Sequence, residues 1–258
     1  MKKVFASDFD GTLYFYKGKT QEEQLPPASV RKIKEFQEAG HLFGLCTGRQ
    51  MAGLTPFIGG YIEPDFYITS SGSYIIDGKG NTILERGVDR KVTAEIVDML
   101  RQRGGKDYFY RVTLDVGGEI CVFREIDYPG KYYLINEVSE CPDGFIHQVS
   151  CHTESVEDAQ AIVDLINERF GEHVEAFRNV IEVDTAPRGC SKGKGVEALR
   201  AHMGDCILFG IGDSMNDMPL IEAADVAYTF HYAPEELQKK ADVVVDTIVD
   251  ALEDAMNR

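Results

Sequence analysis

Strand-like and helix-like segments alternate over roughly the first 80 residues and again over the last 70, and the stretch between them follows another rhythm. Val4-Phe5-Ala6 is a short apolar run that stops at Asp8. Spacing predicts a helix over 28–39, with Ile33 and Phe36 on one face, Pro26-Pro27 ahead of it and Gly40 at its end. A strand over 41–46, a helix from near Gln50, a strand over 66–69 and a hairpin over 73–84 around Asp77-Gly78-Lys79-Gly80 follow. Near the other end, Ser191 can cap a helix over 192–202, and 206–211 is a continuously apolar strand. A short strand at 226–228, a helix near 234–240, a strand at 243–245 and a helix over 247–256 complete the chain. Apolar strands alternating with helices require a sheet covered on both faces, so the expected fold class is α/β, a doubly wound, parallel, Rossmann-like sheet.

The middle, 85–183, reads differently. Two long helical patterns, 91–103 and 156–170, are separated by strand candidates at 108–114, 120–124, 146–151, 174–177 and 180–183. That order fits an α+β unit inserted into the first domain. The expected domains are a core over 1–84, an inserted unit over 85–183 and the rest of the core over 184–258. A chain of 258 residues is long enough for two such units.

Charge narrows the partners. The chain has 27 Lys+Arg against 43 Asp+Glu, a net charge of −16. A nucleic-acid binder needs a basic face, and so does a protein docking on anionic lipid; neither is expected here. No apolar run approaches the roughly 20 residues that span a bilayer. The apolar stretch behind Met1-Lys2-Lys3 ends at Asp8, too early for a signal peptide. Six cysteines without a C-x-x-C pair read as reduced thiols, and the expected location is the cytoplasm. Between His147 and His152 the alternation is that of a strand rather than of a zinc site.

Chemistry gathers where strands end, because loops at the carboxyl ends of parallel strands line a common crevice. Asp8-Phe9-Asp10-Gly11-Thr12 puts two carboxylates on one side of a strand end and turns Phe9 into the packing. A cation beside them would keep Asp8 ionised as a nucleophile and leave Asp10 to carry a proton as general acid, then base. Thr47-Gly48-Arg49 offers a hydroxyl and an amide at a helix start, which suits an anion and equally suits a plain cap. Lys192 begins a helix, where a cation opposes the dipole unless it neutralises something negative. Gly212-Asp213-Ser214-Met215-Asn216-Asp217 follows a buried strand with hard oxygen ligands of the kind Mg²⁺ takes.

Taken in this order, the four segments resemble the haloacid dehalogenase superfamily, whose motifs run D-x-D-x-T, a Thr or Ser, a Lys, and G-D-x-x-N-D. The long insert between the second and third motifs is similar to the large α/β cap of the Cof-type, sugar-phosphatase-like branch. The resemblance covers most of the chain. It implies that Asp8 attacks phosphorus to form an aspartyl-phosphate, and that Asp10 protonates the leaving alcohol and then activates water. It further implies that Mg²⁺ is held by Asp8, the main-chain carbonyl of Asp10, and Asp213. Thr47 and Gly48 would bind the phosphoryl oxygens with Lys192 neutralising charge. Asn216 and Asp217 would support the metal or its waters, Asn216 also serving substrate binding and Asp217 also serving as an anchor behind the metal's ligands, and Phe9 and Thr12 would shape the loop. Many Cof-type members carry Asn-Gly where this chain has Ser71-Gly72, which puts a ligand role for Ser71 in doubt.

The expected activity is Mg²⁺-dependent hydrolysis of a small phosphorylated metabolite such as a sugar phosphate. A phosphomutase or phosphotransferase would use the same intermediate, whereas a non-catalytic metal- or phosphate-binding regulator that kept the fold is expected to have lost Asp8 or Asp10, and both are present.

Overall fold

The computed structural model describes residues 1–18, 20–104, 111–126 and 130–258. Strands in chain order are β1 (Lys2–Ser7), β2 (Leu42–Cys46), β3 (Phe66–Thr69), β4 (Tyr74–Asp77), β5 (Thr82–Glu85), β6 (Arg111–Val116) and β7 (Glu119–Val122), then β8 (Tyr133–Leu134), β9 (Ile146–His152), β10 (Val174–Asn179), β11 (Glu182–Pro187), β12 (Cys206–Ile211), β13 (Val226–Phe230) and β14 (Val243–Val245). They form two sheets in two compact units. One unit comprises Met1–Thr47, Ile58–Leu84 and Ser191–Arg258; the other comprises Gly48–Phe57 and Glu85–Cys190.

The first unit holds a sheet of order β14-β13-β12-β1-β2-β3-β4-β5. From β14 to β3 every pair is parallel, and β4 turns back antiparallel on β3. This is the α/β doubly wound core that the alternation predicts. Its apolar strands are packed on both faces. On one, Phe5 lies in register with Phe43 and Phe209, and its ring stacks on Phe43, Phe209 and Tyr228 at centroid distances of 6.0, 6.2 and 5.9 Å. Phe36, from the helix Pro27–Glu38, meets it edge-on at 5.9 Å. On the other, Val4 and Ala6 pack with Leu208, Val196, Leu199 and Leu220. Each such side chain removed from water contributes about 1.5–3 kcal/mol, so a one-residue register slip in β1 is strongly disfavoured.

The second unit has sheet order β10-β11-β9-β6-β7-β8. It is antiparallel except that β8 runs parallel to β7. Its helices Arg90–Gly104 and Val156–Phe170 bury Ile96, Val97, Leu100, Ile162, Val163 and Ile166 against Leu114, Val149 and Val183. Ser155 caps the second helix, its side chain accepting from the Asp158 amide at 3.1 Å. This is an α+β arrangement, as the sequence predicts.

Two details differ from the sequence reading. Val180, expected inside a strand, sits at φ 54° in the turn between β10 and β11, and the strand runs on to Pro187. The expected boundary at 183/184 therefore falls inside β11, and the first unit resumes at Ser191. The short helix Gln21–Gln24, capped by Thr20, has no apolar periodicity to announce it. Of the strand expected over 108–114, residues 108–110 lie outside the described residues. Among the described residues no helix is long and apolar enough to cross a membrane.

Candidate active site

Because β1, β2 and β12 are parallel neighbours, Asp8, Thr47 and Asp213 all follow strands at one edge of the first sheet. The Asp8 amide donates to the Ile211 carbonyl at 2.9 Å and extends the ladder one residue past β1. Then the chain turns. Phe9 is fully buried with its ring stacked on Tyr14 at 5.3 Å, and its carbonyl accepts from the Leu13 and Tyr14 amides. Phe9 thus anchors the turn from below.

Gly11 takes φ +81°, and a Cβ placed on it would stand 2.5 Å from Asp213 Oδ2. Only glycine lets the first loop lie this close to the acid of the β12 loop. Across that contact Thr12 Oγ1 donates to Asp213 Oδ1 at 3.0 Å. Gly11→Ala should fold but displace Asp213, lowering turnover about 100-fold, the scale expected when a reacting group moves by about 1 Å. Steady-state kinetics on the purified variant would show it, and a loss under threefold would contradict this account of the turn.

Lys192, the first residue of the helix Lys192–Met203, is buried with Asp8 and Asp217. Its Nζ donates to Asp8 Oδ1 at 2.6 Å and to Asp217 Oδ1 at 2.5 Å. Burial alone would lower this lysine's pKa, but the Asp217 and Asp8 carboxylates outweigh it and hold the ammonium well above its ordinary value. The charge at the helix start, unfavourable with the dipole, is explained by these two anions. For Asp8 the balance is opposite. Burial and then Asp217 push its carboxyl well up, Lys192 opposes, and Asp213 and Asp10 push it further up. Asp213 is pushed up to about 6 by burial and Asp217, against the Thr12 hydrogen bond and Lys192. One buried ammonium does not balance this many carboxylates.

Carboxylate oxygens of Asp8, Asp213 and Asp217 lie within 4.8 Å of one another. Crowded hard oxygens, with the Asp8 and Asp213 carboxyls raised in proton affinity, are the donor set a divalent cation fits. The three are not equivalent. Asp217 Oδ1 is taken by Lys192, and its Oδ2 accepts from the Asp213 and Ser214 amides at 3.0 Å each. Those bonds make Asp217 the anchor of the β12 loop, while Asp8 and Asp213 remain the side chains suited to a metal.

The other expected residues fall as follows. Asp10 is partly exposed, bridged to Tyr14, and near enough for its charge to raise Asp8. Thr47 is buried, its amide donating to Ile68 and its carbonyl accepting from Ser71. Gly48 opens the segment that belongs to the second unit. Asn216 is partly buried and its Oδ1 accepts from Ser214 Oγ at 2.6 Å. Ser71 adopts φ 55°, and a Cβ on Gly72 would stand 2.2 Å from the Ser191 carbonyl. The Ser71-Gly72 pair thereby braces the start of the Lys192 helix.

One neighbour escapes the sequence reading altogether. Tyr232, in the loop after β13, donates its hydroxyl to the Gly11 carbonyl at 2.7 Å. Burial, Asp213 and Asp8 push its phenol up. Its sole sequence signal is that it follows an apolar strand.

A family model described as haloacid dehalogenase-like hydrolase matches residues 5–251. The chain is 26% identical over 276 residues to a pyridoxal phosphate phosphatase of Escherichia coli (strain K12), covering 97% of this chain and 96% of that one. It is 24% identical over 232 residues to an HMP-PP phosphatase of Citrobacter koseri, covering 86% and 82%. In fold it is similar to a haloacid dehalogenase-like hydrolase from Bacteroides thetaiotaomicron, with TM-score 0.82, 18% identity and coverage of 98% and 99%. It is likewise similar to a sugar phosphatase described as HAD subclass IIB, with TM-score 0.77, 19% identity and coverage of 99% and 97%.

Proposed function

The chain belongs to the haloacid dehalogenase-like hydrolase family, and from that premise we propose that it is a Mg²⁺-dependent phosphatase acting on a small phosphorylated metabolite through an aspartyl-phosphate at Asp8. The observation that carries this reading is the buried Lys192 ammonium, bonded at once to Asp8 and Asp217 and set among further carboxylates. A buried lysine held charged in this way supplies fixed positive potential where a phosphoryl group would add negative charge.

The steps follow from the residues. The Asp8 oxygen not bonded to Lys192 attacks phosphorus, and the bond from phosphorus to the leaving oxygen breaks. Asp10 gives that oxygen a proton. The same carboxylate then takes a proton from water, which attacks phosphorus, releases inorganic phosphate and restores Asp8. Lys192 holds Asp8 in place throughout, and Asp217 holds Lys192 and the Asp213 amide. Thr47, Gly48 and Asn216 are proposed to contact the phosphoryl oxygens. The Asp8 and Asp213 carboxylates with the Asp10 main-chain carbonyl would hold Mg²⁺, which supplies positive charge that keeps the carboxylates ionised and screens the incoming phosphate.

The substrate class is supported by the relatives named for pyridoxal phosphate and HMP-PP and by the sugar phosphatase of like fold. We read sugar phosphates as the first group to test. A net charge of −16 supports a metabolite rather than a nucleic acid, and six free cysteines support a cytoplasmic setting. The test is release of inorganic phosphate from p-nitrophenyl phosphate and from a panel of sugar, nucleotide and cofactor phosphates. Turnover should need Mg²⁺, vanish with EDTA and return when Mg²⁺ is restored. No hydrolysis of any monoester at saturating Mg²⁺ would sink the reading.

A further inference from the structure

We infer that Tyr232 is a positioning residue for the reacting carboxylates, acting through the Gly11 carbonyl. Its side chain spans 221 positions of sequence to reach the turn between Asp10 and Thr12. The ring lies parallel to Phe230 at a centroid distance of 4.8 Å and an interplanar angle of 10°, and Phe230 is 1% exposed. The hydroxyl is therefore presented from a fixed base rather than from a free loop: the residue as a whole is 57% exposed, but its hydroxyl is turned onto the Gly11 carbonyl.

What it holds is a narrow structure. The Gly11 amide donates to the Tyr14 carbonyl, and its carbonyl accepts from Tyr232, so both polar groups of that residue are tied. Gly11 touches Asp213, and the next residue, Thr12, bonds the same carboxylate. Tyr232 thus joins the loop after β13 to the loop after β1, across the loop after β12 that carries Asp213. Release of the Gly11 carbonyl frees the Gly11–Thr12 peptide to rotate, and the Thr12–Asp213 bond and the Asp10 backbone would loosen with it. The residue makes no step of the reaction itself.

The inference rests on the proposed activity for its kinetic readout but not for its second one. Tyr232→Phe removes the hydroxyl and leaves the ring on Phe230. At saturating Mg²⁺ its kcat should fall about fivefold, the effect of one hydrogen bond of ordinary strength, with KM for the monoester unchanged within about twofold. Titration of the metal-free protein with Mg²⁺, followed by calorimetry, should show affinity about threefold weaker than wild type. Tyr228→Phe is the control, because Tyr228 bonds Asp254 at 2.7 Å instead; it should change the melting temperature while leaving kcat and Mg²⁺ affinity alone. Wild-type kcat and Mg²⁺ affinity in Tyr232→Phe would overturn the inference, as would equal losses in Tyr228→Phe. Should wild type hydrolyse no monoester, the functional reading falls, and the Mg²⁺ titration alone judges Tyr232.

Discussion

Asp8→Asn will lose at least about 10⁴-fold in kcat, the scale on which a nucleophile's removal is felt, and will remain folded. An amide of the same shape cannot attack phosphorus, so no covalent intermediate can form. The fold should even gain from the exchange when no metal is bound. Burial and the neighbouring acids hold the Asp8 carboxyl well above its ordinary value, so its ionised form is disfavoured in the folded protein. A carboxyl with a raised folded pKa costs stability above that pKa, and the cost disappears as pH falls toward the unfolded value of about 4. Asparagine carries no such charge, and Asp217 still neutralises Lys192. Metal-free Asp8→Asn should therefore melt at or above the wild-type temperature at pH 7, and the difference should close near pH 4. Phosphate release and a pair of melting curves test both halves. Measurable steady turnover in Asp8→Asn would remove the nucleophile from position 8.

Much of this site is legible in the sequence because its residues break local rules. A lysine opening a helix works against the dipole, which marks Lys192. Two acids one residue apart at a strand end repel unless something lies between them, which marks Asp8 and Asp10. The uninterrupted apolar run over β12 announces a strand covered on both faces, and hence a parallel sheet whose loops meet at one edge. These are signals of conflict or of periodicity, and both are written in adjacent residues.

What the sequence hides is carried by contacts far apart in the chain. Asp213 and Asp217 are chemically alike and four positions apart; the tight turn Met215–Asp217 folds the second back onto Lys192 and onto the amides of its own loop. No spacing rule tells which of the two is bonded to Lys192. Tyr232 acts on a backbone carbonyl, which has no sequence signature at all. In the second unit, buried His147 stands between Asp115 at 3.3 Å and Glu85 at 2.8 Å, partners 32 and 62 positions away. An alternating strand shows that His147 lies on β9, but not that two acids await it. The turn at Val180 is hidden for another reason. A β-branched residue at positive φ contradicts its own propensity, so residues 180–183 read naturally as a strand, whereas the strand begins at Glu182.

Lys192→Met will be severely damaging to stability. It leaves the side chains of Asp8 and Asp217, 5% and 0% exposed, without the cation both contact. Stranding buried charge in this way costs about 3–5 kcal/mol, which in a chain of this size lowers the melting temperature by about 10 °C. Turnover should fall about 10³-fold as well, because nothing then orients Asp8 or offsets phosphoryl charge. The pH dependence has a definite sign. In wild type the lysine's folded pKa is raised, so its contribution is fully present below the unfolded value of about 10.4 and fades only as pH rises through the folded one. In the variant the Asp8 carboxyl, which burial already holds well above its ordinary value, can be relieved by a proton, so the deficit should be largest near pH 8 and shrink toward pH 4. Adding Asp217→Asn removes one of the two stranded charges; the double variant should recover at least half of the lost melting temperature while turnover stays absent. That separation matters, because recovery of both properties together would mean that Lys192 serves the fold alone, whereas recovery of neither would mean that the damage is steric and that charge balance does not govern this corner of the sheet.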